Sequence, residues 1–161
     1  MISAELAILP VAAALEAKFG TAILGGHNQL NEATLLVSPG SILEVCRYLK
    51  AEQDFIRLGG ITGVDWLPAD PRFEVVYFLH SISKNQRLRL KLRVPEGGEI
   101  DSITSVWRAA DWYEREVFDM FGVKFANHPN LHRILMPADW EGHPLRKDYP
   151  VHGHKYSYQD E

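Results

Sequence analysis

Over residues 87–94 the chain alternates without a break, Leu88, Leu90, Leu92 and Val94 on one side and Arg87, Arg89, Lys91 and Arg93 on the other. Successive side chains of a β-strand point to opposite faces, so this is a strand with one buried face. The basic face is solvated or meets an acidic partner. The buried face needs a second layer over it. Residues 73–82, rich in aromatic and β-branched types, form a hairpin with this strand through Lys84-Asn85-Gln86. Residues 55–65 make a third strand, bent or bulged by Gly59, Gly60 and Gly63.

The first part of the chain supplies the cover. Residues 10–19 read as a helix, with Pro10 at its first position, Val11, Leu15 and Phe19 on one stripe, and Gly20 closing it. A start near Ser3 with a kink at Pro10 is the alternative. Short strands follow at 21–24 and 33–37, joined at Gly25-Gly26-His27-Asn28. A second helix starts at Ser41, in capping-box spacing with Glu44, or earlier at Ser38, and Ile42, Leu43, Val45, Cys46 and Leu49 give it an apolar face. The order is α-β-β-α-β-β-β, a two-layer α+β domain with a mixed sheet, one face under helices and the other wet or docked.

A turn of helix is expected at 103–107. A firmer helix follows from Asp111 to Phe121, capped by Asp111 with Glu114 as its reciprocal partner and stopped at Gly122. Tyr113, Val117, Met120 and Phe121 form its apolar face, while Arg115, Glu116 and Asp119 lie opposite. Glu114 falls toward the apolar side, where a carboxylate must be paired or hydrogen-bonded. The plain reading is a solvated charged face. The sharper one pairs these charges with Arg146, Lys147 or another chain.

Beyond Phe125 no helix is expected, because Pro129, Pro137, Pro144 and Pro150 divide the chain into extended pieces and turns. The chain therefore divides into a core domain, residues 1–125, and an extended tail, residues 126–161. Too few apolar residues fall in register for the tail to form a core. It needs a surface, and that surface is expected on a neighbouring polypeptide.

The 161 residues are enough for one domain, and a net charge of −4 leaves no basic footprint for nucleic acid. The single cysteine, Cys46, excludes an internal disulfide and a cysteine-built cluster. No apolar run approaches the ~20 residues a bilayer needs, and the first lacks the basic start of a signal peptide. A cytoplasmic location is expected. His128 and His132 have i, i+4 spacing, but Pro129 interrupts any helix through both, and no Glu stands between them as a general base. His152 and His154 flank a glycine and offer only adventitious metal binding. Glycine-rich nucleotide loops and nucleophile-elbow motifs are absent.

The run Glu114-Arg115-Glu116-x-x-Asp119-Met120-Phe121-Gly122-Val123, then His128-Pro129, Arg133-Ile134-Leu135 and Gly142-His143-Pro144-Leu145-Arg146-Lys147-Asp148-Tyr149-Pro150, closely resembles the signature of the C subunit of respiratory complex I. This is the thirty-kilodalton subunit family of NADH:quinone oxidoreductase. Asn130 stands where that family commonly has Asp, and His132 where it commonly has Arg.

The resemblance implies a non-catalytic core subunit of the peripheral arm, on the cytoplasmic side of the bacterial inner membrane. FMN, iron–sulfur clusters and quinone would sit on neighbouring subunits and none in this chain. The large, hydrogenase-like D subunit would be the main neighbour, with the B and I subunits nearby, and the membrane would be met only through the complex. The implied partner-binding residues are Glu114, Arg115, Glu116, Asp119, His128, Arg133, Trp140, His143, Leu145, Arg146, Lys147, Asp148 and Tyr149. Related domains in membrane-bound hydrogenases and other-donor quinone dehydrogenases give an alternative. A small histidine-dependent metallohydrolase is the reading from a different class.

Overall fold

The computed structural model describes residues 9–151. Three helices, α1 (Pro10–Phe19), α2 (Ile42–Ala51) and α3 (Ala110–Phe121), accompany seven strands within these residues. The strands are β1 (Ile23–Gln29), β2 (Glu32–Val37), β3 (Arg57–Asp65), β4 (Phe73–Ser81), β5 (Gln86–Val94), β6 (Glu99–Asp101) and β7 (Lys124–Ala126). Five of them form one sheet in the order β1-β2-β5-β4-β3. Only β2 and β5 run parallel within it, so the sheet is mixed and the class is the expected α+β.

The alternation read over residues 87–94 sets the layers. Leu88, Leu90, Leu92 and Val94 are buried with Val75, Tyr77 and Leu79 of β4 and Leu35 of β2. On this inner face lie Val11 and Leu15 of α1, Ile42, Val45 and Leu49 of α2, and Val117 and Phe121 of α3 in one core. Burying each such side chain contributes about 1.5–3 kcal/mol. Gly63 brings α3 close to β3, because a Cβ there would lie 2.6 Å from the Phe121 ring. The bulge expected among the glycines of β3 falls between Leu58 and Gly60.

Other expectations are corrected. The first hairpin turns at Leu30 and Asn31, with φ of 53° and 62°, while the expected turn, Gly25 to Asn28, lies inside β1. Two consecutive left-handed residues match the twist of a two-residue hairpin, and glycines tolerated in a strand gave the misleading signal. Asp111 lies in the first turn of α3, whose N-cap is Ala109 with no side-chain cap bond, and Ser41 makes none either. Glu114 does not reach back to a cap, because its carboxylate accepts the Ile103 N–H at 2.8 Å. The parallel pair β6–β7 was not anticipated, since three-residue strands are too short to show a period. Ser3 lies outside the described residues.

Candidate functional site

The side of α3 opposite the core carries Arg115 and Asp119, yet both are buried, at 9% and 0% exposure. What covers them is the chain's own continuation after β7. Asp119 accepts the backbone N–H groups of Ile134, Leu135 and Met136 at 3.0, 2.8 and 2.9 Å. It also forms an ion pair with Arg133 at 2.6 Å. Burial alone would raise its carboxyl, but the Met136, Leu135 and Ile134 donors and the Arg133 guanidinium outweigh burial and hold it below its ordinary value. Arg133 donates onward to the Gly142 carbonyl, and the Nδ1–H of His143 donates to the Asp119 carbonyl at 2.9 Å.

A second fastening lies where β3 ends and β4 begins. Asp65 accepts Arg72 through both oxygens, at 3.0 and 2.8 Å, together with the N–H groups of Leu67 and Lys147. Arg72 pairs in turn with Asp148 at 2.6 Å and Glu96 at 3.1 Å. The hydrogen bonds from Arg72 lead the effects that drive the Asp65 carboxyl well below the usual range. Arg146 donates to the Phe121 carbonyl at 2.7 Å and to Glu96 at 2.9 Å. Arg72 and Arg146 both lie over the Phe73 ring, at 5.0 and 5.1 Å from its centroid. Gly122, left-handed with φ +78°, ends α3, and Arg146 and His143 occupy the space a Cβ would take.

Between the fastenings the histidines have defined roles. Arg115 can only donate, so Nε2 of His132 accepts from it at 2.7 Å, leaving Nδ1–H to donate to Asn130. Asn130 and His132 are thus bonded to each other. Nδ1 of His128 accepts the Asn130 N–H, and its Nε2–H faces Asp111 at 3.3 Å and Glu114 at 3.9 Å. His128 and His132 therefore do not converge on a common point. Among the described residues no three of His, Cys, Asp and Glu are grouped to hold a metal ion. His152 and His154 lie outside the described residues.

Residues 128–149, expected to lack the means to satisfy themselves, fasten many of their polar groups to their own domain. Asp119, Arg133, His143, Arg146 and Asp148 hold them there. Lys147 adds its N–H to Asp65 and its Nζ to the Leu67 carbonyl at 3.3 Å. Tyr149 bonds the Glu141 carbonyl, and Trp140 closes a turn on Pro137. The Leu145 N–H donates to the Met120 carbonyl while its side chain stays 56% exposed. Glu116 faces outward, near Trp112 and one turn along the same helix. Sequence reading missed Asp65, Arg72 and Glu96, which lie far from the tail in sequence; an Asp and an Arg bracketing a proline-rich loop are the only signal they give.

Chemically this arrangement holds backbone: its ion pairs are mutual, and Asp119, Arg133 and Arg146 spend further hydrogen bonds on main-chain groups. Outward it presents Trp112, at 62% exposure, with Leu135 and Leu145.

The family model described as respiratory-chain NADH dehydrogenase, 30 Kd subunit, matches residues 35–155. The NADH-quinone oxidoreductase C subunit of Citrifermentans bemidjiense is 49% identical over 140 residues, 86% of this chain and 87% of that protein. Its counterpart in Geobacter metallireducens is 48% identical over 141 residues, with the same shares. Among solved structures, a chain of the membrane-bound sulfane sulfur reductase, an archaeal respiratory membrane complex, superposes with a TM-score of 0.75 at 26% identity. That superposition covers 88% of this chain and 84% of the other.

Proposed function

The chain belongs to the family of respiratory-chain NADH dehydrogenase 30 kDa subunits, and on that premise we propose that it is a non-catalytic core subunit of a proton-translocating NADH:quinone oxidoreductase. It sits in the peripheral arm, on the cytoplasmic side of the bacterial inner membrane. There it holds the electron-transfer module against the quinone-reducing subunits, with the large, hydrogenase-like D subunit as main neighbour and the B and I subunits adjacent. FMN, iron–sulfur clusters and quinone belong to those neighbours. In keeping with a peripheral position, no helix among the described residues is long and apolar enough to cross a membrane.

The observation that carries this reading is the fastened segment itself. Its strong polar groups hold residues 128–149 on α3, leaving Trp112, Leu135 and Leu145 as outward anchors for a neighbour. The test is retention. Trp112→Glu with Leu145→Glu is expected to lower the chain's recovery with the native complex at least tenfold and leave the circular dichroism of the free chain unchanged. Full recovery would refute these anchors, and full assembly with a dead electron-transfer step would show a direct catalytic role.

The likeness to a membrane-bound sulfane sulfur reductase chain favours a second reading, an equivalent subunit of a complex fed by another donor. Purification of the native complex separates the two. Co-purifying NADH-binding subunits support the first, and their absence beside a hydrogenase-type large subunit supports the second.

A further inference from the structure

The inner face of the five-stranded sheet lies under the helices, and its outer face is built differently. Cross-strand register puts Arg57, His80 and Arg87 in one row across β3, β4 and β5. The next row holds Gly60, Phe78 and Arg89, with Thr34 beyond on β2. Cross-strand partners share a face, so these side chains form one surface. Between the rows and Glu32 opens a concavity of about 310 Å³. Its floor is the Phe78 ring, 38% exposed, which lies over Gly60 where a Cβ would sit 3.8 Å away. Arg89 stacks on that ring at 5.4 Å.

Charge on this face is unbalanced. Arg89 pairs with Glu32, and Lys91 pairs with Glu74 at 3.0 Å. Arg93 donates to the Pro71 carbonyl and stacks on Trp66 at 5.6 Å. Arg57 and Arg87 remain, both exposed and with no side-chain hydrogen bond or ion pair to the described residues. They are joined by His80, in a chain whose net charge is −4. Arg57 and Arg87 flank β4, about 10 Å apart at two strand spacings, and unneutralised cations at that range repel unless an anion lies between them.

We infer that this face docks an extended acidic segment of a neighbouring polypeptide, one with carboxylates at alternate positions. The spacing selects that partner. Arg87 and Arg89 are two residues apart on one strand face, about 7 Å. An extended chain repeats its same-side side chains at that interval, so Glu-x-Glu or Asp-x-Glu would place one carboxylate at the Arg57–Arg87 row and the next at Arg89, which gives Glu32 only one of its five N–H donors. Backbone N–H groups of β4, paired on both sides, belong to the strand ladder, so the middle of the site offers no amide cradle of the kind that binds phosphate. The surface therefore reads side-chain carboxylates laid along the strands.

The test uses the full chain and a defined probe, a fluorescent nine-residue peptide alternating Glu and Val, with a Lys–Val peptide as control. The Glu peptide is expected to bind at least tenfold more tightly than the Lys peptide, with affinity falling as salt rises. Arg57→Glu with Arg87→Glu is expected to abolish that preference; both side chains are exposed, so the fold is not at risk. Equal binding of the two peptides, or a preference that survives the double variant, overturns the inference. The same contact is then read in the native complex by a photo-cross-linking residue at position 87. A cross-link to an Asp- or Glu-rich segment supports it, and a cross-link to lipid or to a segment without carboxylates overturns it. The peptide arm stands whatever complex the chain joins, so its failure is separate from failure of the proposed function.

Discussion

Replacing Asp119 by Ala removes one carboxylate that holds three backbone donors and a guanidinium. Hydrogen bonds to a charged group contribute about 1.5–3 kcal/mol each, and breaking a buried ion pair costs about 3–5 kcal/mol. These figures do not add, because the segment can swing out and give its N–H groups to water. The loss is bounded by the free energy that docks residues 133–136, and about 3–5 kcal/mol is the expected size. At ~1.4 kcal/mol per decade, exchange at the amides of Ile134, Leu135 and Met136 should quicken by roughly two to four orders of magnitude. Amides of β4 and β5 should be unchanged. Asp119→Asn keeps an acceptor without the charge and should fall between. Acid gives an independent check. The folded carboxyl lies below its ordinary 3.8, so this stabilisation is complete above that value and is lost as pH falls through the lower folded value. Native-state hydrogen exchange with mass spectrometry reads all of this. Protection of residues 134–136 within threefold of the parent in Asp119→Ala would refute the argument, and loss of protection across β4 and β5 would show that the segment is not a separable unit.

Glu114 gives a prediction of opposite sign. Burial lifts its carboxyl from 4.5 to about 7, against hydrogen bonds from Ser102 and the Ile103 N–H. Between those values the folded state binds more protons than the unfolded state, so stability falls as pH rises and is lowest above 7. Glu114→Gln keeps an acceptor for Ile103 and removes the charge, so it should gain about 3 kcal/mol at pH 8 and nothing at pH 4. The difference between the two denaturation curves is the quantity to read, since His143, held low chiefly by burial, adds a slope of the other sign. Parallel curves would contradict it. Gly63→Ala drives a methyl into the Phe121 ring and should cost about 1–3 kcal/mol, seen as a Tm lower by several degrees. An unchanged Tm would mean that α3 can slide from β3 at no cost.

Most of the fold was legible because its signals are local. The alternation of residues 87–94, the apolar stripes of α1 and α2, and Gly122 at the end of α3 each follow from the spacing of a few neighbours. What failed involved choices settled at a distance. Glu114 looked like a cap because Asp111 stood three residues before it, yet its oxygen serves Ile103, across a turn that no pattern marks. Arg115 and Asp119 read as a wet face because helical periodicity says which residues share a side and not what lies against it. Their cover arrives from residues 132–136, too irregular to carry a period of their own. Arg72 was invisible for the same reason, since it meets Asp148 across 76 positions.

That distant fastening changes the energetics of assembly. A tail that ordered only on a partner would draw several kcal/mol from the interface it forms. Here Asp119, Asp65 and Arg72 fix residues 133–148 within the chain, so their ordering belongs to folding, and a partner meets a rigid surface. The fastening also sorts the cations. Arg72, Arg133 and Arg146 are neutralised internally, near Asp65 and α3. Arg57 and Arg87 lie at the other end of the sheet, eight residues along β3 from Asp65 and about 27 Å away. The Asp65 group of cations is thus spent within the chain, while Arg57 and Arg87 stay open to an anion from outside it.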